Sequence, residues 1–284
     1  MTLQGSEYHF ALIDDPNLKK GEITITPAAV CLPLSKQIHS IEPSGLIGVD
    51  INERNITTSS TDGLTNSYDI SRVPRIQETY RRIRSKIARL KGSDHRITSE
   101  LLSKYGKRER ARIGAVLHDV SKSIVEESTH KRMGLVLENL RGIRKNFARD
   151  RPVSTSLRGR MNAWPFYSFR RMVEYKAAWV GVPVLVVNPR GTSSNCPDCG
   201  SRVASLPKRQ LYCGSCDKTW DRDVLASKNI MACAVPQALP PRRSDEKERG
   251  GDGSNPSSRW GEVESSRGKR WFNGTCNSGT GSRR

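Results

Sequence analysis

The chain has 284 residues, of which 35% are hydrophobic, and 48 lysines and arginines against 29 aspartates and glutamates give a formal net charge of +19 at pH 7. So large a positive charge destabilises a compact protein unless a polyanion neutralises it, so nucleic acid is the expected partner and a merely soluble basic protein is the alternative. The longest apolar run, residues 179–187, is too short to cross a bilayer and residues 1–20 lack the regions of a signal peptide, so we expect a cytoplasmic, nucleoid-associated protein.

The predicted elements begin with a short β segment. Residues 22–30 have the pattern of a strand, and Pro33, Pro43 and Gly45 follow it before the first strongly apolar run. Because this is too little chain for a complete domain, we interpret residues 1–45 as the end of one.

Three short apolar runs predict buried strands, and two further strands follow the first of them around a turn signal. The first run carries one acidic residue, and an acidic residue directly follows the second. In chain order, the predicted strands are residues 46–52, 55–60, 66–70, 134–137 and 182–187.

Helical segments separate the strands. Two of them form a helical hairpin over about residues 74–130, and the second carries an apolar stripe with spacings of three and four residues. A basic, flexible segment is predicted at residues 141–160, a helix at 164–180 and a last helix at 221–234. Residues 236–284 are rich in Pro, Gly, Ser and Arg, and we expect them to form a disordered basic tail.

Positive charge is densest in the helical hairpin. Twelve lysines and arginines lie between Arg81 and Arg112 against three acidic residues, and such a density can follow phosphates without reading base sequence. The aromatic residues Trp164, Phe166 and Tyr167 either stack on bases or pack into the core. The predicted nucleic-acid contacts are Arg81, Arg82, Arg84, Lys86, Arg89, Lys107, Arg108 and Arg110.

The seven cysteines include two C-x-x-C pairs that are separated by thirteen residues. Four thiolates at this spacing indicate a tetrahedral zinc site with no open position, so the zinc is expected to be structural. A redox pair is the alternative. The predicted ligands are Cys196, Cys199, Cys213 and Cys216.

Three acidic residues lie where a predicted buried strand ends or the last helix begins, namely Asp50, Glu138 and Asp223. If they converge at one edge of a sheet, they repel one another unless cations neutralise them, and carboxylate oxygens suit Mg²⁺ or Mn²⁺. Two such ions can hydrolyse a phosphodiester. Taken singly, each acid can instead cap a turn or a helix, or pair with a neighbouring arginine.

The motifs around these residues resemble a known family when taken together. GVDINERNITTSS surrounds Asp50, LVLENLRGIRK surrounds Glu138, and LYCGSCDKTWDRDVLASKNI joins the second cysteine pair to Asp223. In this order, over roughly residues 20–232, they resemble the nuclease half of the TnpB family of transposon-encoded RNA-guided endonucleases. The family is related to the type V CRISPR effector nucleases.

The resemblance implies an α/β fold, in which an RNase H-like (RuvC) mixed sheet has a helical hairpin insertion and an inserted zinc ribbon. It implies a nuclease core at residues 46–191, the ribbon at 192–220 and a final core helix at 221–235. Residues 1–45 would then be the remnant of a wedge-like β domain, and the chain is expected to be truncated at its N terminus.

The resemblance also implies a transposon-associated, RNA-guided DNA endonuclease that uses two Mg²⁺ or Mn²⁺ ions, with DNA and a guide RNA as partners. Its catalytic, ion-binding acids would be Asp50, Glu138 and Asp223. Asp223 is preferred over Asp221 because the family acid directly precedes the x-N-A part of the pattern D-R-D-x-N-A.

The alternative is a nucleic-acid-binding remnant or regulator that does not cut DNA. Two departures from the family pattern favour it. Leu225 stands where the family has Asn, and the wedge and recognition domains of the family do not precede residue 46. A plain zinc-ribbon factor would explain the cysteines and the charge, but it would leave the acid-bearing strands and the long hairpin unexplained.

Overall fold

The computed structural model describes residues 7–27, 29–89, 95–147, 152 and 154–238. Within these residues, no helix has the length and apolar character that crossing a membrane requires. The predicted tail lies outside the described residues from residue 239 onward.

The first elements are small. They are α1 (Glu7–Asp14), β1 (Lys19–Lys20), β2 (Thr24–Ile25), β3 (Val30–Cys31) and β4 (Leu34–Ser35). β1 pairs with β4 and β2 pairs with β3, both antiparallel. The prediction of one continuous strand at 22–30 is therefore wrong. The chain reverses at Thr26, whose hydroxyl accepts a hydrogen bond from the Ala29 amide, and Pro27 has no amide with which to continue a ladder.

The central sheet holds all five strands expected between residues 46 and 187. Its elements, with the helices between them, are β5 (Gly45–Ile51), β6 (Asn55–Ser60), β7 (Thr65–Asp69), α2 (Arg72–Arg89), α3 (His95–Lys131), β8 (Met133–Glu138), α4 (Thr155–Ala163), α5 (Phe166–Val180) and β9 (Val184–Val187). The strand order is β7-β6-β5-β8-β9. β5 pairs antiparallel with β6 and parallel with β8, so the sheet is mixed.

The remaining elements are β10 (Ala204–Leu206), β11 (Gln210–Cys213), β12 (Lys218–Asp221) and α6 (Arg222–Ala238). The three strands form a separate antiparallel sheet. The last helix runs four residues further than predicted. Pro236 removes one backbone donor but does not prevent the residues after it from donating, so the prediction of disorder is wrong for residues 236–238.

Alternating side chains on the two central strands supply two cores. Ile47 and Val49 of β5 face one side of the sheet, where α3 and α5 pack, and their neighbour Leu46 faces the other side with Ile230 of α6. Gly48 allows α6 to approach closely, because a Cβ at this position would overlap the Ser227 carbonyl oxygen. Helices therefore cover both faces of β5 and β8.

The helical hairpin of α2 and α3 is present, with bounds a few residues wider than predicted. The apolar stripe of α3 is buried at Ile113, Leu117 and Ile124. The basic segment predicted at 141–160 is partly helical, because it includes a 3-10 helix at Ile143–Phe147 and the start of α4. Ser154 caps α4 by accepting a hydrogen bond from the Leu157 amide.

Candidate functional site

Three acidic side chains lie at the carboxyl ends of the central strands. Asp50 is the penultimate residue of β5 and Glu138 is the last residue of β8, and these two strands run parallel. Asp223 is the second residue of α6, which packs across β5 and β8. The structure thus brings together, at one edge of one sheet, three residues that are far apart in the sequence.

Burial and like charge together disfavour ionisation at this edge. Asp50 is only 8% exposed, and burial first, then the neighbouring Glu138 and Asp223, raise its pKa from 3.8 to about 7. Burial also raises the pKa of Glu138. A divalent cation would relieve this conflict, because it favours the ionised form of both groups.

Two asparagines orient the acids. Asn52 donates a hydrogen bond to Asp50 Oδ2 over 2.6 Å, and Asn55 donates to Asp223 Oδ2 over 3.0 Å. Leu225 is fully buried and carries no polar group that could contact the acids. The amide groups beside the acids therefore come from the loop and strand that follow β5. The sequence carried a signal for both, since they follow Asp50 by two and five residues.

An arginine from the small sheet reaches the same edge. Arg209 lies in the turn between β10 and β11, and its guanidinium is ion-paired with Asp223 and lies 3.4 Å from Asn52 Oδ1. Sequence reasoning missed this residue, because nothing in its local pattern distinguishes it from the many other arginines.

Glu138 is held by a buried threonine. Thr192 is 3% exposed, and its hydroxyl lies 2.6 Å from Glu138 Oε1 and 3.0 Å from the Pro189 carbonyl. The side-chain amide of Asn229 in α6 donates to the carbonyls of Thr192 and Asn195. The segment before the first cysteine pair is therefore fastened to α6 and to Glu138. No local pattern around Thr192 or Asn229 indicates this contact either.

Asp221 has a different role. Its Oδ1 accepts hydrogen bonds from the amides of Asp223 and Val224 over 2.8 and 3.1 Å, which is the arrangement of a helix N-cap. Asp221 thus fixes the start of α6, and with it the position of Asp223.

The donor set at the sheet edge fits hard divalent ions, because every candidate ligand atom is an oxygen. In the part of the chain that the structure describes, only the four cysteines bring three or more His, Cys, Asp or Glu ligand atoms within 4.8 Å of one another. The three acids are therefore spread more widely than the ligands of one compact site. Such spacing is compatible with two ions about 4 Å apart, which share ligands between them.

The four cysteines Cys196, Cys199, Cys213 and Cys216 form a second cluster, with all ligand atoms within 4.8 Å. The Sγ atoms of Cys199 and Cys213 are 3.5 Å apart, far beyond a disulfide bond and close to the ~3.8 Å edge of a tetrahedron with Zn–S bonds of about 2.3 Å. Gly200, at φ +75°, closes the first turn, in which its amide donates to the Cys196 carbonyl. The cluster fits zinc, and β10 and β11 between the cysteine pairs form a hairpin that is part of the three-stranded sheet.

The predicted nucleic-acid contacts line the helical hairpin. Arg84 is half-buried and pairs with Glu109, so it holds α2 against α3. Arg81 and Arg82 are exposed but pair with Glu78. The remaining residues of the set, all exposed, are Lys86, Arg89, Lys107, Arg108 and Arg110.

The three aromatic residues divide between the two alternatives. Trp164 is fully buried and donates its indole N–H to the Glu53 carbonyl, and Phe166 is half-buried against its ring. Tyr167 is exposed. The first two are therefore core residues, and only Tyr167 is available for stacking.

Comparisons with known proteins agree on one family. The sequence model of the Cas12f1-like TNB domain matches residues 166–230. A TnpB-like protein of Methanocaldococcus jannaschii is 32% identical over 233 residues, which cover 79% of this chain and 83% of that protein. A protein of Streptomyces pristinaespiralis with the name putative RNA-guided DNA endonuclease is 29% identical over 75% of this chain and 48% of its own length.

Solved structures share the fold. The cryo-EM structure of a Cas12f1–sgRNA–target DNA complex matches with a TM-score of 0.58 at 18% identity, over 80% of this chain and 48% of that chain. A CRISPR–Cas12f ternary complex matches with a TM-score of 0.50 at 21% identity, over 75% of this chain and 44% of that one. The chain thus spans about half the length of the Streptomyces relative and of both Cas12f chains.

The arrangement of strands and helices is therefore one that Cas12f proteins also have. The chain belongs to the TnpB family, which confirms the resemblance found in the sequence.

Proposed function

We propose that the chain is a transposon-associated, RNA-guided, metal-dependent DNA endonuclease with a RuvC-like, RNase H-type core. The observation that carries the proposal is the meeting of Asp50, Glu138 and Asp223 at one sheet edge, where the pKa of Asp50 is raised to about 7. Membership of the TnpB family and the name of the Streptomyces relative support the substrate class.

We assign the nuclease core to residues 46–191 and 221–235, with the zinc ribbon of residues 192–220 inserted between them. Residues 1–45 would be part of a wedge-like β domain. The exposed cations of α2 and α3 would follow the phosphates of a nucleic acid. DNA and a guide RNA are the partners that this arrangement would hold.

In this proposal Asp50, Glu138 and Asp223 hold two Mg²⁺ or Mn²⁺ ions. When bound, the ions supply activation of water and stabilisation of the leaving oxygen. Thr192 holds Glu138 in place, and its hydroxyl donates to the carboxylate and so opposes the rise in the Glu138 pKa that burial causes. Asn52 and the ionised Arg209 act in the same sense on Asp50, since both lower its pKa.

Arg209 has a second possible contact. Its side chain is half-exposed although it pairs with Asp223, and a guanidinium can bind a phosphate through two parallel hydrogen bonds. We assign it to the substrate phosphate next to the acids. The zinc ribbon would then contribute to catalysis indirectly, because its fold places Arg209 at the site.

A DNA cleavage assay with Mg²⁺, with and without a guide RNA, tests the proposal. The parent protein should cut DNA, and Asp50→Ala should abolish cleavage without lowering the unfolding temperature. Asp62→Ala is the matched control, because Asp62 is an exposed acid in the turn after β6, and this variant should cut normally. Equal cleavage by parent and Asp50→Ala would overturn the assignment.

The second candidate is a protein that binds nucleic acid without cutting it. The ion pair between Arg209 and Asp223 favours this alternative, because it partly neutralises the site without any metal. Retained DNA binding without Mg²⁺- or Mn²⁺-dependent cleavage, for parent and Asp50→Ala alike, would support it.

A further inference from the structure

One face of α5 carries a row of aromatic and cationic side chains that the proposed chemistry does not use. Tyr167, Arg171, Tyr175 and Trp179 follow one another at intervals of four residues, and we call this row the aromatic ridge. Residues at this spacing form a continuous ridge along a helix. At 1.5 Å per residue, the ridge is about 18 Å long.

The aromatic rings of the ridge are open to solvent. Tyr167 is 63% exposed, Tyr175 is 48% exposed and Trp179 is 38% exposed. The opposite face of the same helix buries Phe169, Val173 and Ala177 in the core. The ridge is therefore not needed to fix α5 against the sheet.

Cations stand beside the rings at both ends of the ridge. The Arg171 guanidinium lies 5.9 Å from the centre of the Tyr167 ring, and Lys36 Nζ lies 4.8 Å from that of the Trp179 ring. An apolar protein partner would have to desolvate these charges, whereas a polyanion would pair with them. In a duplex the faces of the bases are covered by neighbouring bases, so open rings can stack only on an unpaired strand.

The spacing of the rings suits an extended strand. Along the helix axis, Tyr175 and Trp179 are about 6 Å apart, and Tyr167 and Tyr175 are about 12 Å apart. The shorter distance is close to the largest distance between successive nucleotides of a stretched strand, and the longer one to two such steps. Tyr175 is held in place by α3, because its hydroxyl lies 3.2 Å from His118 Nδ1. A ring fixed in this way stacks at a low cost in conformational entropy.

The ridge begins at the end of the sheet where the acids lie. Trp164, just before α5, donates its indole N–H over 3.2 Å to the carbonyl of Glu53, and Arg160 pairs with the Glu53 side chain over 2.7 Å. Glu53 lies three residues after Asp50 in the loop that also contains Asn52. Tyr167 is therefore at the end of the ridge that is closer to the acids, and Trp179 is at the far end.

We propose that the aromatic ridge binds single-stranded DNA, with bases stacked on Tyr167, Tyr175 and Trp179 and phosphates paired with Arg171 and Lys36. The choice of DNA rests on the proposed function, because the Tyr167 end of the ridge lies at the same end of the sheet as the acids that would cut the strand. The ridge would therefore hold the unpaired substrate strand during cleavage.

Binding of fluorescein-labelled oligothymidylate in buffer without added Mg²⁺ or Mn²⁺, measured by fluorescence anisotropy, tests the ridge without any cleavage and leaves the zinc site intact. Loss of base–aromatic stacking in Tyr167→Ala/Trp179→Ala should weaken binding about tenfold or more. Tyr167→Phe/Trp179→Phe keeps the rings and should bind like the parent. Phe10→Ala is the matched control, because Phe10 is an exposed aromatic residue of α1, and it should also bind like the parent.

Cross-linking gives a second readout that does not depend on any variant. Irradiation of the parent with an oligonucleotide that contains 5-iododeoxyuridine should attach DNA to the α5 peptide, at Tyr167, Tyr175 or Trp179. Cross-links found only outside α5, or unchanged affinity of the double alanine variant, would overturn the proposal.

Two controls test the other occupants. If oligouridylate of the same length binds the ridge more tightly than oligothymidylate does, the assignment to DNA is wrong. If the parent self-associates and the double alanine variant does not, while DNA affinity stays unchanged, the ridge is an interface between two copies of the chain. Because all these measurements are made without Mg²⁺ or Mn²⁺, a failure of the ridge remains distinct from a failure of cleavage.

Discussion

Asp50 lowers the stability of the folded chain at neutral pH, because its buried carboxylate must ionise next to two other acids. Its pKa is about 7 in the folded chain and 3.8 in the unfolded chain. The unfolded chain therefore gives up its proton first as the pH rises, so folding stability falls between about pH 4 and pH 7 and the full cost is present above pH 7.

The variant Asp50→Asn should remove this cost. Without added Mg²⁺ or Mn²⁺ its unfolding temperature should exceed that of the parent by about 5 °C at pH 8, and the difference should be smaller at pH 5. Thermal unfolding followed by circular dichroism at the two pH values measures this. If the variant is less stable than the parent at pH 8, the ionised Asp50 carboxylate does not destabilise the fold.

Thr192 tests whether Glu138 needs a fixed partner. Thr192→Val keeps the shape of the side chain but removes its hydrogen bond to Glu138 Oε1, and we expect Mg²⁺-dependent cleavage to fall about 10- to 100-fold. Thr192→Ser should restore most of the activity, because the hydroxyl returns. In the valine variant the pH dependence of the cleavage rate should shift to higher pH, because the Glu138 pKa rises when the donor is lost. The same rate and pH dependence as the parent would contradict the positioning role of Thr192.

At the scale of elements, the contact between β5 and α6 decides where Asp223 lies relative to Asp50. Gly48 and Ser227 form the closest part of this contact, and the Ser227 hydroxyl is also hydrogen-bonded to Ser59 of β6 over 2.6 Å. A side chain at Gly48 would push α6 away from the sheet.

We expect Gly48→Ala to lower the free energy of unfolding by about 1–3 kcal/mol. Gly114→Ala is the matched control, because Gly114 lies in α3 with no atom close to a new Cβ, and alanine should stabilise the helix by up to about 1 kcal/mol. Urea denaturation of both variants measures the contrast. If both variants change stability in the same direction, the close contact of α6 with β5 is wrong.

The zinc ribbon is the second element with a distinct role. Cys196→Ser should lower the zinc content measured by elemental analysis from one ion per chain, because a closed tetrahedral site loses one of its four ligands. It should also reduce cleavage, since the ribbon carries Arg209. Cys233→Ser changes an exposed cysteine outside the cluster and should keep both zinc and activity. Unchanged zinc content in Cys196→Ser would refute the site.

Across the whole molecule, the parts of the fold that the sequence predicted are those with a local signal. The five central strands follow from apolar runs, and the α2–α3 hairpin follows from its apolar stripe. The turn at Thr26 and the helix α4 were missed because a few polar residues decide them through local hydrogen bonds. Three acids could be named as candidates from the sequence, but their convergence depends on the parallel pairing of β5 with β8.

The contacts that complete the site could not be predicted in this way. Thr192 is hydrogen-bonded to Glu138, which is 54 residues away in the sequence. Arg209, in a turn of the small sheet, is paired with Asp223 of α6. Such pairs depend on how the ribbon is placed against the core, and neither threonine nor arginine is rare enough to stand out. The aromatic ridge is similar, because its spacing is visible in the sequence but its exposure is not.

The number of Mn²⁺ ions that the carboxylate site binds, measured by electron paramagnetic resonance, tests most directly whether Asp50, Glu138 and Asp223 form one metal centre. We expect two spin-coupled Mn²⁺ ions per parent chain, and the loss of this coupled signal in Asp50→Asn and in Asp223→Asn. Asp221→Asn, which keeps an oxygen acceptor at the start of α6, should retain the signal. Identical Mn²⁺ binding by the parent and by Asp50→Asn would contradict the claim that these acids form one metal centre.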